Sequence, residues 1–580
     1  MIIVGIYGAF DWDANVGNLK NYLVLQKAGK NAFYDKEGNK KNYLVKENHN
    51  PVESTSWSHD SGCTLFIDGK HICSISEERI TRTKYDGNFP KNSIELCLEH
   101  GGIKKSQVDL VYCVPTHHFV SFQQLEDGVA DYILKKEFPK AKVKYTGHHL
   151  AHAASTVFTS DFNEGTFVTF DGGGSAIQDP TRDYVDHIEN NSIGYFNKKK
   201  RIFRFYNMFE QQYNNFGQLY QSVASKIYQK KIGEKIEHWE GITASNGKIM
   251  GLSAYGTPGD HPKGYEVTEH SIPYINFSAF AEKSDYYHEN ICNMMSPEDA
   301  AYYLQRTFED GMLDLLKSLR KGHLDKNTCF AGGVFLNVLS NTLIKESGIF
   351  EDIHIPPFTD DSGVHFGAAI WGCYENGEDI SLPDNLALLG RDFHNDEIKQ
   401  YLDMFDLSYR DYDMDVVADL IKDNKIVAWF QGRSEAGPRA LGSRSIFMSP
   451  TRAENKDILN KRVKHRDHWR PFAGAILEDR VGEYFSEAYI SPYMIYSQHS
   501  TTDKIPAITH EDGTCRIQTV NKDQNPRVHD LLTRLDPPVI LNTSFNDNGE
   551  PIIDSPYDAV RAFTHLDIDH MVIGDFIVDK

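Results

Sequence analysis

The sequence predicts an α/β protein organised as two or three domains. Three observations predict it. At 580 residues the chain is too long for one hydrophobic core. Apolar runs of strand length end at glycine or acidic turns, and segments with apolar residues at helical spacing lie between them. An apolar fraction of 40% is enough to bury ordinary globular cores.

In chain order, MIIVGIYG reads as a strand, and CTLFIDGKHICSISEERI as two strands around the Asp68-Gly69 turn. NSIELCLEHGGI follows as a helix stopped by Gly101-Gly102, DLVYCVP as a strand and FQQLEDGVADYILKKEF as a helix. TFVTFDGGG runs from a strand straight into a glycine turn. PEDAAYYLQRTFEDGMLDLLKSLRK has helical periodicity, and NTCFAGGVFLN repeats the strand-then-glycine order. Around 382–413 the pattern loosens, which divides the chain into 1–395 and 405–580. Beyond it, KIVAWFQGR and PPVILNTSFN are strands ending in polar turns. Residues 26–55 are polar and rich in Lys and Asn, as an exposed insertion would be.

The net charge of −21 argues against a long polyanion as partner and leaves small substrates as the default. No apolar run approaches the roughly 18 residues of a membrane span, and the first residues carry no basic leader. The eight cysteines are scattered without a C-x-x-C pair and read as buried hydrophobes in a reducing compartment. A cytoplasmic location is expected.

Against that acidic background one segment reverses sign. Residues 425–475 carry eleven Lys and Arg against four acids, a local charge of +7. Guanidinium stays charged and offers a planar fork of donors suited to phosphate, carboxylate or carbamate oxygens. Gly437-Pro438, Leu441-Gly442 and Trp469 interrupt the arginines, which suits turns around a pocket better than a solvated stripe. A nucleic-acid patch or an ion-pair network between domains is the plainer alternative.

His148 and His152 in GHHLAHAAS lie one helical turn apart and can present two imidazoles on one face, as metal-binding helices do. With 25 histidines in the chain, about one such pair is expected by chance. Asp171 at the end of VTFDGGG, and Asp360 or Asp361 in PPFTDDSG, supply carboxylates that complete a divalent site with open positions. The bland reading makes them turn residues beside core histidines. Gly172, Gly173, Gly332 and Gly333 each follow an apolar strand, where backbone amides can approach phosphate. The P-loop, the Rossmann fingerprint and the G-x-S-x-G elbow are absent.

SHDSGCTLFIDGKHICSISEERITRTKYDGNFP, GHHLAHAAS, FDGGGS, GKIMGLSAYG, AGGVFLN, PPFTDDSGVHFGAA, GRSEAGPRALGSRSI, HRDHWRPFAG and LNTSFNDNGEPI together resemble, in this order, the O-carbamoyltransferases of the nodulation-protein and cephamycin-biosynthesis type. The resemblance implies an N-terminal actin/hexokinase-like (ASKHA, Kae1-like) domain and a C-terminal YrdC-like α/β domain. It also implies a reaction in which carbamoyl phosphate and ATP give carbamoyl-adenylate, whose carbamoyl group moves to an acceptor hydroxyl.

Carried over by motif, the resemblance implies His148, His152, Asp171 and Asp361 as ligands of one divalent metal, iron by family, with magnesium arriving on ATP. Asp360 is the alternative to Asp361. His59, with Asp60 beside it, becomes the catalytic base, since an unperturbed imidazole suits proton removal from a hydroxyl. Lys248, Gly172, Gly173, Gly332, Gly333 and Asn337 are implied for the nucleotide. Arg439, Arg444, Lys464, Arg466, Arg470, Asn542, Ser544 and Asn546 are implied for carbamoyl phosphate. The acceptor, a sugar, a natural-product scaffold or a hydroxymethylated nucleotide, is left open. A threonylcarbamoyl-type tRNA-modifying enzyme and a noncatalytic actin-like regulator are the alternatives.

Overall fold

The computed structural model describes residues 1–8, 59–115, 129–174, 176–178, 185–189, 191–207, 215–236, 239–259, 264–268, 271–277 and 294–580. The expected insertion at 26–55 lies outside them.

The first half contains one sheet motif twice. Strands β1 (Ile2–Gly8), β2 (Gly62–Ile67), β3 (Lys70–Ser76), β4 (Leu110–Pro115) and β5 (Lys142–Tyr145) form a sheet in the order β3-β2-β1-β4-β5. The β1/β2 and β2/β3 pairs are antiparallel, and the β1/β4 and β4/β5 pairs parallel. Strand β6 (Glu164–Phe170) is followed by the hairpin β7 (Ala176–Gln178) and β8 (Val185–Ile188). Next come β9 (Asn191–Asn197), β10 (Ile202–Asn207) and the small pair β11 (Glu266–Thr268) and β12 (Tyr274–Asn276), then β13 (Asn327–Ala331) and β14 (Asp352–His354). The second large sheet runs β10-β9-β6-β13-β14 with the same pattern of pairings. This duplication is the actin/hexokinase-like arrangement.

Two helices rich in small residues separate the sheets. His148–Thr159 contributes Ala153 and Val157 to a core with Phe167 and Phe196, while Val364–Glu375 contributes Phe366, Ala368 and Ile370 to a core with Ile3, Phe66 and Tyr112. Alanine and glycine let the helices touch: a Cβ on Gly367 would lie 1.9 Å from the Ala151 carbonyl oxygen. That close approach brings the start of one helix, with His148 and His152, beside the turn preceding the other.

The last part folds around one nine-stranded sheet. Its strands are β15 (Tyr409–Asp411), β16 (Val427–Phe430), β17 (Arg444–Met448), β18 (Ala473–Leu477), β19 (Ser497–His499), β20 (Thr514–Val520), β21 (Val539–Ser544), β22 (His570–Ile573) and β23 (Phe576–Asp579). They are ordered β15-β23-β22-β16-β17-β21-β18-β20-β19. Alternation along β16 sends Val427 and Trp429 to one core and Ala428 and Phe430 to the other, so the sheet is buried on both faces. The Asn395–Met404 helix, left between the two domains by the sequence pattern, adds Ile398 and Leu402 to one of these cores.

The seven cysteines among the described residues are free and buried. None of the described helices is long and apolar enough to cross a membrane.

A buried polar chain ties the first sheet to the Val364–Glu375 helix. His365 Nδ1 lies 2.8 Å from Thr64 Oγ1, which is 2.8 Å from Ser74 Oγ, which is 2.9 Å from His71 Nε2. Burial pushes both imidazoles down to about 3. Between pH 6.5 and 3 the unfolded chain therefore binds protons that the folded chain refuses, so stability falls as pH drops through that window. Denaturant titrations should show wild type losing more stability between pH 7 and 4 than His71→Gln does; equal losses would remove His71 from the acid limb.

Candidate active site

Four side chains converge where the two halves of the duplicated fold meet. His148 and His152 come from the first turns of their helix, Asp171 from the end of β6, and Asp361 from the turn leading into the Val364–Glu375 helix. One ligand atom from each lies within 4.8 Å of the others, and all four residues are buried. His148 Nε2 is 3.1 Å from His152 Nε2, 3.2 Å from Asp171 Oδ2 and 3.3 Å from Asp361 Oδ1; His152 Nε2 is 3.3 Å from that same Asp361 oxygen. Ring nitrogens facing each other across carboxylate oxygens are the donor set a divalent cation takes.

Carboxylates and imidazoles set each other's charge in this cluster. Burial raises the Asp361 carboxyl, but the imidazoles of His148 and His59 outweigh it and hold it well below its usual range. Burial lowers His148, yet Asp361 and Asp171 bring it up to about 10.

Tyr7, at the end of β1, donates to Asp361 Oδ2 at 2.6 Å, and its ring meets His148 edge-on with centroids 5.5 Å apart. Asp361 thus keeps Oδ1 for the cluster while Oδ2 is occupied. Asp171 divides its oxygens likewise, its Oδ1 accepting from the Gly333 amide at 2.8 Å. Asp360 turns away, its Oδ1 accepting from Ser362 Oγ at 2.5 Å.

His59 stands at the rim. Its Nδ1 is 2.8 Å from Asp60 Oδ2 and its Nε2 is 3.7 Å from Asp361 Oδ2. Burial lowers this imidazole, but Asp361 and Asp60 dominate and raise it to about 10, above the unperturbed histidine expected from the sequence.

Of the residues expected at the nucleotide, Gly172 follows β6 with open space where a Cβ would be, and Gly332 follows β13 with its amide on the Thr359 carbonyl at 2.7 Å. Gly173 shares the β6 turn. The Gly333 amide is already used by Asp171. Asn337 caps the Val338–Glu346 helix through Ser340 N and exchanges two 3.0 Å hydrogen bonds with Gln305, so its side chain is committed to structure. Lys248 Nζ donates to Tyr228 Oη at 2.6 Å and lies 3.8 Å from Asp467, in the HRDHWRPF motif of the second unit.

The second unit gathers most of its expected residues. Lys464 Nζ donates to the Asn546 side chain at 2.7 Å and to the Ser544 and Asn546 carbonyls at 2.9 and 3.0 Å. Arg466 stacks on Phe472 with its guanidinium carbon 4.1 Å from the ring centroid, and its buried Nε has no hydrogen-bond partner. The Asn542 Oδ1, also buried, has no donor. Burial and the like charges of Arg466 and Arg470 press Lys464 well below its usual range. Burial likewise lowers Arg439 and Arg470, which are charge neighbours; Asp360 offsets the first and Asp467 the second.

Arg444 is a correction. It is fully buried over Phe430, and its guanidinium donates to the carbonyls of Asp554, Gln431 and Gly432 at 3.0–3.1 Å. A guanidinium wrapped in backbone carbonyls holds the loop together and has no face for an anion.

Three residues were missed. Arg516 on β20 has a buried, unpartnered Nε; burial lowers it well below its usual range, and its charged neighbours are Arg439, Arg466 and Arg470. Its signal was a single arginine in the apolar strand TCRIQTV. Glu435 accepts the Leu441, Ser443 and Arg444 amides on one oxygen at 2.8, 2.8 and 3.1 Å, shaping the loop that carries Arg439. Lys84 has Glu78, Arg470 and Asp60 as charge neighbours, linking the arginines to the His59 side.

The carbamoyltransferase N-terminus model matches residues 53–137 and 119–370, and the carbamoyltransferase C-terminus model matches 418–580. The chain belongs to the carbamoyltransferase family. Among curated relatives, nodulation protein NolNO of Sinorhizobium fredii is 28% identical, over 92% of this chain and 81% of its own length. Nodulation protein NolO of Bradyrhizobium diazoefficiens is 30% identical, over 75% and 78%. An uncharacterized Synechocystis protein is 30% identical, over 91% and 96%. Among solved structures, full-length HypF in a phosphate- and nucleotide-bound form is 12% identical with a TM-score of 0.39, covering 56% of this chain and 55% of that one. As a family member this carbamoyltransferase is an enzyme, which sets aside the noncatalytic regulator.

Removing either histidine should empty the cluster. After dialysis, elemental analysis of His148→Ala and of His152→Ala should find no stoichiometric metal, and retention by both would put the ion elsewhere. Tyr7→Phe should keep the fold but weaken metal affinity by about tenfold or more, the usual cost of losing a partner behind a ligand.

Proposed function

We propose that this carbamoyltransferase is an ATP-dependent O-carbamoyltransferase with its donor site in residues 405–580 and its transfer site in residues 1–395. The cluster of Arg439, Lys464, Arg466, Arg470 and Arg516 carries the reading. Half-buried guanidiniums around the buried Lys464, with few acids among them, favour an anion between them, and carbamoyl phosphate is such an anion. The unpartnered Nε atoms of Arg466 and Arg516 suit phosphate oxygens, and the unpartnered Oδ1 of Asn542 suits the carbamoyl amino group.

Water cleaves the bond between phosphorus and the carbamoyl oxygen of carbamoyl phosphate, giving inorganic phosphate and carbamate; a carbamate oxygen then attacks the α-phosphorus of ATP, pyrophosphate leaves and carbamoyl-adenylate forms. The acceptor hydroxyl then attacks the carbamoyl carbon and displaces AMP. Each activated species decomposes in water, so a site that brings donor and acceptor together away from solvent would protect them. Gly172 and Gly173 offer a backbone approach for the nucleotide, with Lys248 and Lys84 between the two ends.

A divalent cation on Asp361 would offset the carboxylate that raises His59, and the neutral imidazole, oriented by Asp60, would then receive the hydroxyl proton. His148, His152, Asp171 and Asp361 would hold a divalent metal, iron by family resemblance, which supplies positive charge beside phosphate. Magnesium enters with ATP. The acceptor is a small molecule with a hydroxyl group, and the protein works in the cytoplasm.

Arg466→Ala and Arg516→Ala should each lower carbamoyl-phosphate-dependent AMP formation by about a hundredfold, as loss of a charged partner does. A fluorescent ATP analogue should still bind. Near-normal kinetics with carbamoyl phosphate in both variants would contradict the donor assignment.

A further inference from the structure

The segment EERITR, residues 77–82, packs beside His59 yet reaches into the second unit. It is anchored first. The Glu77 carboxylate accepts from Asn92 Nδ2 at 2.6 Å and from the Ser93 amide at 2.8 Å, and the Glu77 amide donates to the Ser61 carbonyl at 2.8 Å. Thr81 Oγ1 donates to Asp86 Oδ2 at 2.7 Å, and the Asp86 carbonyl accepts the Ser61 amide at 2.9 Å. Whatever this segment grips is therefore fixed relative to the His59-Asp60-Ser61 turn.

It grips both loops of the donor site. Arg79, only 5% exposed, donates through Nη2 to the Gly437 carbonyl at 2.8 Å. Gly437 precedes Arg439 by two residues, has a φ of +89°, and would place a Cβ 2.5 Å from the Pro357 carbonyl oxygen. The turn carrying Arg439 is thus pinched between Arg79 and the PPFTDD turn that carries Asp361. Arg82 splits its fork over two consecutive carbonyls, Nη2 to Pro551 at 2.6 Å and Nη1 to Ile552 at 2.8 Å. Glu550 and Asp558 flank it at 3.6 and 3.9 Å. These carbonyls lie on the return of the Ser544–Asn546 turn: the Ile553 amide donates to the Phe545 carbonyl at 3.0 Å, and Asn546 Nδ2 to the Glu550 carbonyl at 2.6 Å. Asn546 in turn holds Lys464.

We infer that Arg79 and Arg82 are positioning residues that hold the Arg439 turn and the Ser544–Asn546 turn in register with the His59-Asp60-Ser61 turn. The inference rests on the function proposed above. Arg79 and Arg82 reach no reacting atom. They act through Gly437 and through Pro551 and Ile552. A planar guanidinium can bridge two successive carbonyls, whereas an ammonium is a single point of charge. The arginine type is thus part of the device.

The test uses the full chain. Arg82→Met and Arg79→Met are compared with wild type by hydrogen exchange over residues 437–440 and 544–553, by calorimetric titration with carbamoyl phosphate, and by metal content. Arg82→Met should speed exchange in 544–553 and Arg79→Met in 437–440. Each should weaken carbamoyl phosphate binding about tenfold, the loss expected for hydrogen bonds from a charged group. Metal content should not change. Arg82→Lys should restore little of the affinity, and it carries the test if Arg82→Met does not fold.

Unchanged affinity in the Arg82 and Arg79 variants, even with a lowered melting temperature, would make the two arginines plain structural ties and overturn the inference. Arg466→Ala, titrated alongside, separates the two failures. If it too binds carbamoyl phosphate normally, the donor assignment is wrong. If it alone loses binding, only the positioning role fails.

Discussion

Crowded charge at two neighbouring ends, linked through Lys84 and Asp360, is the constraint on which this protein depends. At one end Asp171, Asp361 and Asp60 are crowded around His59, His148 and His152. At the other, Arg439, Arg466, Arg470, Arg516 and Lys464 lie close together with few acids. Desolvated charges of one sign repel strongly, and neither cluster would persist for the sake of stability. Each makes sense as half of an interaction, carboxylates awaiting a cation and guanidiniums awaiting an anion. Asp360, pushed up to about 7 by burial and by the carboxylates of Asp60 and Asp361, sits where the two meet and is a charge neighbour of Arg439.

The fold supplies the rigidity those clusters need. His148, His152, Asp171 and Asp361 come from one helix and the ends of separate elements, and they meet because small residues let two helices touch at Gly367. The loops that carry the arginines are held by groups on other parts of the chain. Glu435 gathers three amides, Arg444 is wrapped in carbonyls, and Asp554 accepts from Arg391 and from Ser434 at 2.7 Å. Such a shell leaves the remaining cations free for a ligand without leaving them mobile.

Much of this was legible where the signal is local. The His148 and His152 spacing states a helical face, and strand-then-glycine order marks Asp171 and Gly332 as turn residues. Alternation in KIVAWF gives a strand buried on both sides. The rest depended on partners far along the chain. Arg444 and Arg439 sit in one motif with the same side chain, and only the carbonyls of Gln431, Gly432 and Asp554 decide that the first is structural. Asn337, implied for the nucleotide by resemblance, caps its own helix through the Ser340 amide and also pairs with the distant Gln305, and the neighbours of Arg516 lie on other strands and loops. The duplication of the sheet motif is carried by pairing, which residue types alone do not reveal.

The central claim is that the cluster of Arg439, Lys464, Arg466, Arg470 and Arg516 takes carbamoyl phosphate and that its carbamoyl group is activated on ATP by the same protein. Exchange of labelled pyrophosphate into ATP reads this without any knowledge of the acceptor. The account predicts exchange by the metal-loaded full chain that depends on added carbamoyl phosphate. Exchange that proceeds equally without carbamoyl phosphate, or no exchange with it, would contradict the account.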